Sequence, residues 1–500
     1  MSESIVERNI LTIIEPTIEL DALTILDRES NSDNSNGLAM EVRPSKFSSI
    51  VPYVIVNGYE VDFTKLRYFE VKNEDFYPTI KLIFADRDNM FTSRFYPKDG
   101  DIIKINIRSQ GDETTFKPIR IDFTIIECKP INGNAGGGRL VANEYLLTGR
   151  MFIPNLFTEN VSYEENVTSW DALLNIAEKL KLGYASNVEE TADQMTWTNP
   201  NDTNETWIQN IVSNSYLNDE SFFTSYIDPY YYLTMVDVNR LFSQEGAIEI
   251  SQDFMRGSAD TFTEDIVSEE TTMPNILTNL VQMQGNSRYM SSFQLTNNTG
   301  KISKANGYKR YTQYWDLEAK EWVSEFVDPF TNDTPGMIPA TKGRILNGET
   351  EGPRNEQVKY KYLGTQGDNV HSEFQYSTVL NYQNNTEINK MGMTVELQTV
   401  NPGIVRYSRI YCLVLEYNDD AKTALLQPSL GEIEGDIEPQ TRQSEEFLNN
   451  EEASFILNEY LTGFYVVTGV TYFYSNGTGV NSEQLKMRLK LQRREFTPTT

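Results

Sequence analysis

The sequence predicts a mainly β protein with smaller α+β parts, and three observations carry that expectation. The aromatic content is high, with Tyr 28 and Phe 25 in 500 residues, which favours strands and argues against disorder. Several segments alternate apolar and polar residues with period two, as strands with one buried face do. Helical periodicity is confined to short stretches.

Residues 1–40 read as an N-terminal extension ending in the polar loop 29–37. A first β domain is expected over 41–158, completed by strands after residue 240. Within it Ile103, Ile105 and Ile107 alternate with Lys104, Asn106 and Arg108. Ile119, Ile121, Phe123 and Ile125 alternate in the same way with Arg120, Asp122 and Thr124. The glycine-rich run 133–138 leads to the next strand, around 140–152. No Lys-Ser/Thr follows that run and no helix opens there, so it reads as a hairpin loop and not a phosphate cradle.

The pattern switches after Asn155, and residues 159–242 are expected to form an inserted α+β domain. Thr168 and Asp171 make a capping-box-like start. Trp170, Leu173, Leu174, Ala177 and Leu180 then share one helical face, and Gly183 stands where a C-cap belongs. A second helix starts near Asn204 and buries Trp207, Ile208, Ile211 and Val212. The run 230–236 returns to strand. Residues 243–345 read as a small mixed domain or connector, with Pro274 opening a short helix that carries Ile276, Leu277, Leu280 and Val281. Tyr311, Tyr314, Trp315 and Trp322 fit a small core better than a binding surface.

A second β domain is expected over 346–500, with strands at 394–399 and 408–417 and a helix across 373–388. An acidic insertion at about 427–452 interrupts it. The chain closes on a hairpin, in which Val466, Thr468, Val470, Tyr472 and Tyr474 run in step towards Asn476-Gly477. Leu485, Met487, Leu489 and Leu491 return, alternating with Lys486, Arg488, Lys490 and Gln492. The two end blocks resemble each other in pattern.

A chain of this length predicts two to four domains. The net charge of −29, from 72 acidic and 43 basic residues, argues against an ordinary grip on DNA or RNA, which needs clustered Lys and Arg. It serves solubility, or else a negative wall past which an anionic polymer slides. The N-terminus has no signal-peptide pattern, and no window approaches the ~20 apolar residues that span a bilayer. No membrane insertion is therefore expected. Asn-x-Ser/Thr sites such as Asn201-Asp202-Thr203 reflect composition. Cys128 and Cys412 lie in apolar, strand-like runs as buried free thiols that fit a reducing cytoplasm.

The residues do not assemble into a recognisable chemistry. His371 is the single histidine, so a zinc site of the usual kind is excluded and a nucleophile triad would need His371 itself as its base; it reads as structural. No Gly-x-Ser-x-Gly elbow accompanies it, and neither cysteine has an activating neighbour. A glycosidase needs two carboxyls ~5–9 Å apart, which a sequence does not reveal. The acidic runs Glu189-Glu190 and 432–436 read as solvated. The stretch 199–204 offers Asp202 and amide oxygens but lacks the turn glycine of a calcium loop. No catalytic, cofactor-binding or metal-ligating residue is expected, and no cofactor.

Three groups of residues carry a family resemblance. The first is Ser169-Trp170-Asp171-Ala172-Leu173-Leu174, with Thr206-Trp207-Ile208, Ser215-Tyr216-Leu217 and Asp237-Val238-Asn239. The second is Asp368-Asn369-Val370-His371 with Tyr382-Gln383-Asn384-Asn385. The third is Gly463-Phe464-Tyr465-Val466-Val467-Thr468-Gly469-Val470, closing with Leu489-Lys490-Leu491-Gln492-Arg493-Arg494-Glu495-Phe496. Together they resemble the baseplate hub proteins of contractile-tailed phages, relatives of the hub part of type VI secretion spike proteins and of phage late-control proteins.

The resemblance implies two tube-type split β-barrels per chain with inserted α+β domains. It also implies a homotrimeric ring of six barrels that joins a sixfold tail tube to a threefold central spike and lines a DNA channel. Implied partners are the tail tube or tube-initiator protein, the spike, the tape-measure protein and the baseplate wedge. Genome DNA would pass without specific binding, and acidic residues are expected towards the axis. The location implied is the virion tail baseplate, assembled in the bacterial host cytoplasm. Two alternatives stand beside it: a receptor- or glycan-binding tail-fibre protein, and a cell-wall hydrolase using two carboxylates.

Overall fold

The computed structural model describes residues 10–19, 50–61, 64–86, 89–109, 119–132, 143–243, 276–279, 289–298, 309–317, 319–327, 358–366, 369–389, 391–398, 400–401, 404–417, 455–458, 461–475 and 485–493. The chain begins with strands β1 (Leu11–Ile14), β2 (Ile50–Val56), β3 (Tyr59–Glu60), β4 (Leu66–Asn73) and β5 (Thr79–Asp86). It continues with β6 (Ile102–Ser109), β7 (Ile119–Asn132), β8 (Asn143–Met151) and β9 (Glu159–Val167). Helix α1 (Ser169–Lys179), β10 (Gly183–Ser186), β11 (Met195–Thr203), α2 (Asn204–Ser213), β12 (Phe223–Ile227), β13 (Tyr232–Asp237) and α3 (Val238–Ser243) follow. Next come β14 (Ile276–Thr278), β15 (Met290–Asn297), β16 (Lys309–Asp316), β17 (Glu321–Val327), β18 (Val358–Gln366) and α4 (Phe374–Glu387). The last elements are β19 (Met391–Leu397), β20 (Arg409–Leu413), β21 (Leu415–Tyr417), β22 (Phe455–Leu457), β23 (Gly463–Ser475) and β24 (Lys486–Gln492).

The fold is mixed α/β and is dominated by one extended, strongly curled sheet of 13 strands. Its main path runs β15-β19-β24-β23-β4-β5-β8-β7-β6-β2-β3. Every neighbour along that path is antiparallel. Right-handed strand twist accumulates across so many strands, so a sheet of this width curls. The alternation seen in the sequence supplies its inner face. Ile103, Ile105, Ile107, Ile121 and Phe123 are fully buried, and they join Val395, Leu489 and Tyr472 in one core cluster. First-block and last-block strands meet where β4 pairs with β23, in the register Thr471↔Lys72 and Phe473↔Glu70.

The α+β part is a four-stranded sheet, β1-β10-β13-β12, with α1 and α2 packed nearby. Its edge strand β1 comes from the N-terminal extension. Thr168 caps α1 as expected, accepting from the Asp171 amide at 3.2 Å. Helix α2 starts at Asn204 and buries the four predicted residues. Helix α4 spans nearly the predicted range.

Several expectations need correction. Lys181, with φ 59°, takes the left-handed position that follows α1, whereas Gly183 opens β10. It is glycine because an added Cβ would lie 2.5 Å from the Tyr232 ring. Ile276 and Leu277 belong to β14, not to a helix, and pair in parallel with Tyr411 and Cys412. A register shift between Val467 and Gly469 breaks the straight period-two reading of β23. Tyr465 and Val467 therefore share the core with Val470, Tyr472 and Tyr474, while Val466 joins a second cluster. In the three-stranded sheet β17-β16-β18, Tyr314 is buried but Trp322 is 52% exposed. The loops at 29–37 and 133–138, Pro274, Leu280, Val281, the insertion at 427–452 and the Asn476-Gly477 turn lie outside the described residues.

Candidate functional surface

The residues with chemical potential are absorbed by structure. His371 is 8% exposed, and its Nε2 lies 3.0 Å from the Asn214 carbonyl oxygen at the end of α2. Burial lowers its pKa, against the opposing pull of that carbonyl and of the Asp193 and Glu373 charges. The neighbouring Asp193 is fully buried. It accepts hydrogen bonds from the Ser169 amide at 2.8 Å, the Ser169 hydroxyl at 2.6 Å, the Thr191 hydroxyl at 2.7 Å and the Tyr216 amide at 2.8 Å. A serine and carboxylate both at 0% exposure meet no substrate.

Cys412 is buried, and burial pushes its thiol well above the ordinary range. Cys128 is only half-buried, a correction to the expectation of two buried thiols, and burial raises it too. Asn199 uses its side chain on the local backbone, accepting from the Asp202 amide at 2.8 Å and donating to the Asp202 carbonyl at 3.1 Å. Glu189 and Glu190 are exposed, as expected of a solvated run. Among the described residues no group of three or more His, Cys, Asp or Glu side chains could hold a metal ion.

What remains is the solvent side of the large sheet. The phase of each strand follows from its register, because successive side chains point to opposite faces. With the core-facing residues inward, the outer face of β19, β24, β23, β4, β5 and β8 carries two rows that cross the strands. One row reads Lys486, Phe473, Glu70, Lys81, Thr148. The other reads Glu396, Arg488, Thr471, Lys72, Thr79, Arg150. Lys490 sits one step beyond, opposite Thr394.

Its basic residues are thus Lys72, Lys81, Arg150, Lys486, Arg488 and Lys490, and its acidic ones are Glu70, Glu396, Glu74 just past the end of β4 and, at the end of β8, Glu144. That inverts the balance of a chain with 72 acidic and 43 basic residues.

Half of these cations are tied down. Arg488 reaches Glu396 at 2.7 Å and lies over the Phe473 ring at 4.7 Å. Lys490 pairs with Glu74, which also accepts from Thr471 at 2.8 Å. Burial opposes ionisation of Glu74, but those two hydrogen bonds prevail and its pKa is lowered. Lys72 is 3.7 Å from Glu70. Arg150 lies 3.6 Å from the centre of the Phe157 ring. Lys81 sits over Tyr68 at 5.7 Å, and neither it nor Lys486 has a carboxylate within ion-pair distance among the described residues. The alternation of Lys486, Arg488 and Lys490 was visible in the sequence, but Lys72 and Glu70, which share their rows across β23, come from some 400 residues away.

No protein-family model matches the chain, and no curated protein matches it in sequence. Solved structures similar in chain path include a tail protein from Neisseria meningitidis MC58, at 9% identity and TM-score 0.47 over 89% of this chain and 97% of that one. Another is the 43 kDa tail protein of prophage MuSo2 from Shewanella oneidensis, at 8% identity and TM-score 0.45 over 90% of this chain and 99% of that one. A third is a chain of the Francisella PdpA-VgrG complex, at 9% identity and TM-score 0.39, covering 90% of this chain and 59% of that one. Likeness at these scores is one of chain path and carries no functional weight.

Proposed function

We propose that the chain is a structural, non-catalytic baseplate hub subunit of a contractile phage tail. Three copies form a ring of six tube-type barrels between a sixfold tail tube and a threefold spike, with tape-measure and wedge proteins as further contacts. The single observation that carries this reading is the pairing of β4 with β23. It sets the first and last β blocks side by side in one sheet, as two adjacent barrels of one subunit require. The polar face of that sheet lines the bore, and β15, an edge strand of the sheet path, meets a neighbouring copy, since open edges invite strand pairing. The site of action is the virion tail, after assembly in the host cytoplasm.

Negative-stain electron microscopy of the purified protein at high concentration tests this. Threefold rings with six lobes and an open centre are expected. Fibres, or compact particles without a bore, overturn it. A receptor-binding role is favoured by one observation, the exposed Trp322 set edge-on to Trp315 at 5.4 Å. Glycan-array binding that Trp322→Ala abolishes would support that role instead.

A further inference from the structure

We propose that the outer face of β24, β23, β4, β5 and β8 is a weak, salt-sensitive contact surface for nucleic acid, so that the wall it forms holds DNA lightly and does not repel it. The proposal deepens the hub reading and rests on it for the identity of the anion. Three features of the face carry the inference.

The sign is the first. Along β24, Lys486, Arg488 and Lys490 all project outward, and across the sheet they are joined by Lys72, Lys81 and Arg150. These six cations outnumber the carboxylates of the same face, Glu70, Glu74 and Glu144, which reverses the balance of a chain of net charge −29. Long-range repulsion from the chain's other carboxylates is screened beyond a Debye length of ~8–10 Å, so a phosphate at the sheet feels mainly the local cations.

The spacing is the second. Lys486 and Lys81 occupy one transverse row, three strand steps apart, or about 14 Å at the usual inter-strand distance. Between them lie the half-buried Phe473, whose ring Arg488 covers, and Glu70, and Tyr68 sits beneath Lys81. Cations spread across a row and interleaved with aromatic faces suit an extended polyanion better than a compact anion, which needs convergent donors.

The degree of neutralisation is the third. Arg488 is held by Glu396, Lys490 by Glu74 and Lys72 by Glu70. Arg150 is engaged by Tyr77, by the Glu205 charge and by the Phe157 ring. Lys81 and Lys486 are left to meet phosphates. About two phosphates per chain give a shallow salt dependence, and raising salt fourfold should weaken binding on the order of 10-fold. That is far short of a sequence-reading protein, and it suits a polymer that must keep moving.

The test uses the full chain and a short fluorescent DNA duplex, followed by anisotropy between 50 and 200 mM salt, about the range over which such contacts titrate. Binding is expected at the low end, with the stated loss at the high end. The double variant Lys81→Glu, Lys486→Glu should bind at least 10-fold more weakly, while its circular dichroism and thermal transition match the parent. Neither side chain has an ion-pair partner among the described residues, so the variant should fold. The wild-type salt titration also stands independently of it.

No binding at low salt, salt-independent binding, or an unchanged double variant overturns the proposal. So does poly-glutamate that displaces the duplex at equal charge concentration, since the surface then serves an acidic polypeptide. Microscopy of the same preparations separates the two readings. Rings without DNA retention overturn this inference alone, while retention by bore-less particles overturns the hub and keeps the cationic face as the anion site.

Discussion

Asp237, at the end of β13, is 6% exposed and accepts from the Phe222 amide at 3.2 Å and the Asn239 amide at 3.1 Å. Burial pushes its pKa up to about 6, against those hydrogen bonds and the charge of Arg240. The folded state thus binds this proton more tightly than the unfolded chain, whose carboxyl titrates near 3.8. Its contribution to stability is complete below that lower value and is lost as pH rises through about 6. The loss is on the order of 3 kcal/mol. In Asp237→Asn the decline in the melting midpoint between about pH 4 and about pH 6 should flatten. Melts at several pH values check this, and an unchanged slope would assign the effect to another group. Asp237 was legible in the sequence as part of a family-like run. Its role was not, because the partner amide lies 15 residues away and reaches it only through β12–β13 pairing.

A similar buried keystone is Arg406, which donates to the Thr468 carbonyl at 2.8 Å and to the Asp75 carbonyl, and lies 4.7 Å from the Tyr226 ring centre. It ties the irregular part of β23, the first β block and the α+β sheet together. Nothing in its sequence neighbourhood marks it out.

For whole elements, the amphipathic stripes of α1 and α2 and the alternation of β6, β7 and β24 give the element type, whereas the apolar run at Ile276 and Leu277 is a strand and not the expected helix. The α1 helix shows why ends are harder. A glycine just past a helical stripe normally marks the C-cap, yet the chain places Lys181 in the left-handed position and spends Gly183 on close contact between β10 and β13. Two substitutions of opposite sign separate the roles. Gly183→Ala should cost about 1–3 kcal/mol, because the new methyl meets the Tyr232 ring and the Pro16 ring carbon at 2.9 Å. Lys181→Gly should stabilise by several tenths of a kcal/mol up to about 1, since glycine adopts a positive φ without steric cost. Denaturant titration of both variants checks this, and a stabilising Gly183→Ala would contradict the packing account. The irregularity in β23 is the same lesson in a strand. A period-two stripe predicts a face only while the register holds, and one extra residue moves Val466 to the other side.

Across the whole molecule, strands far apart in sequence form one sheet, so the two ends of the chain should share their stability. Thr471 lies in β23 between β4 and β24, where a proline can donate no ladder hydrogen bond. Thr471→Pro should therefore remove hydrogen-exchange protection from Leu66–Asn73 as well as from Gly463–Ser475. Peptide-level exchange mass spectrometry reads both segments in one experiment. Protection retained in the first segment would mean that the blocks are separable units.

The sequence by itself determined the strand-rich class, the inner faces of β6, β7 and β24, the starts of α1 and α2, and the scarcity of histidine and cysteine chemistry. Those features rest on side-chain period, capping and composition, which act over a few residues. Only the tertiary structure decided that β4 lies against β23, that β14 is a strand held by β20, and that Lys486 and Lys81 share one row of a face. Strand partners are chosen by burial and hydrogen bonding between segments hundreds of residues apart. No local pattern encodes which of two equally apolar strands will sit next to a third, so a surface built from several strands becomes visible only once they are paired.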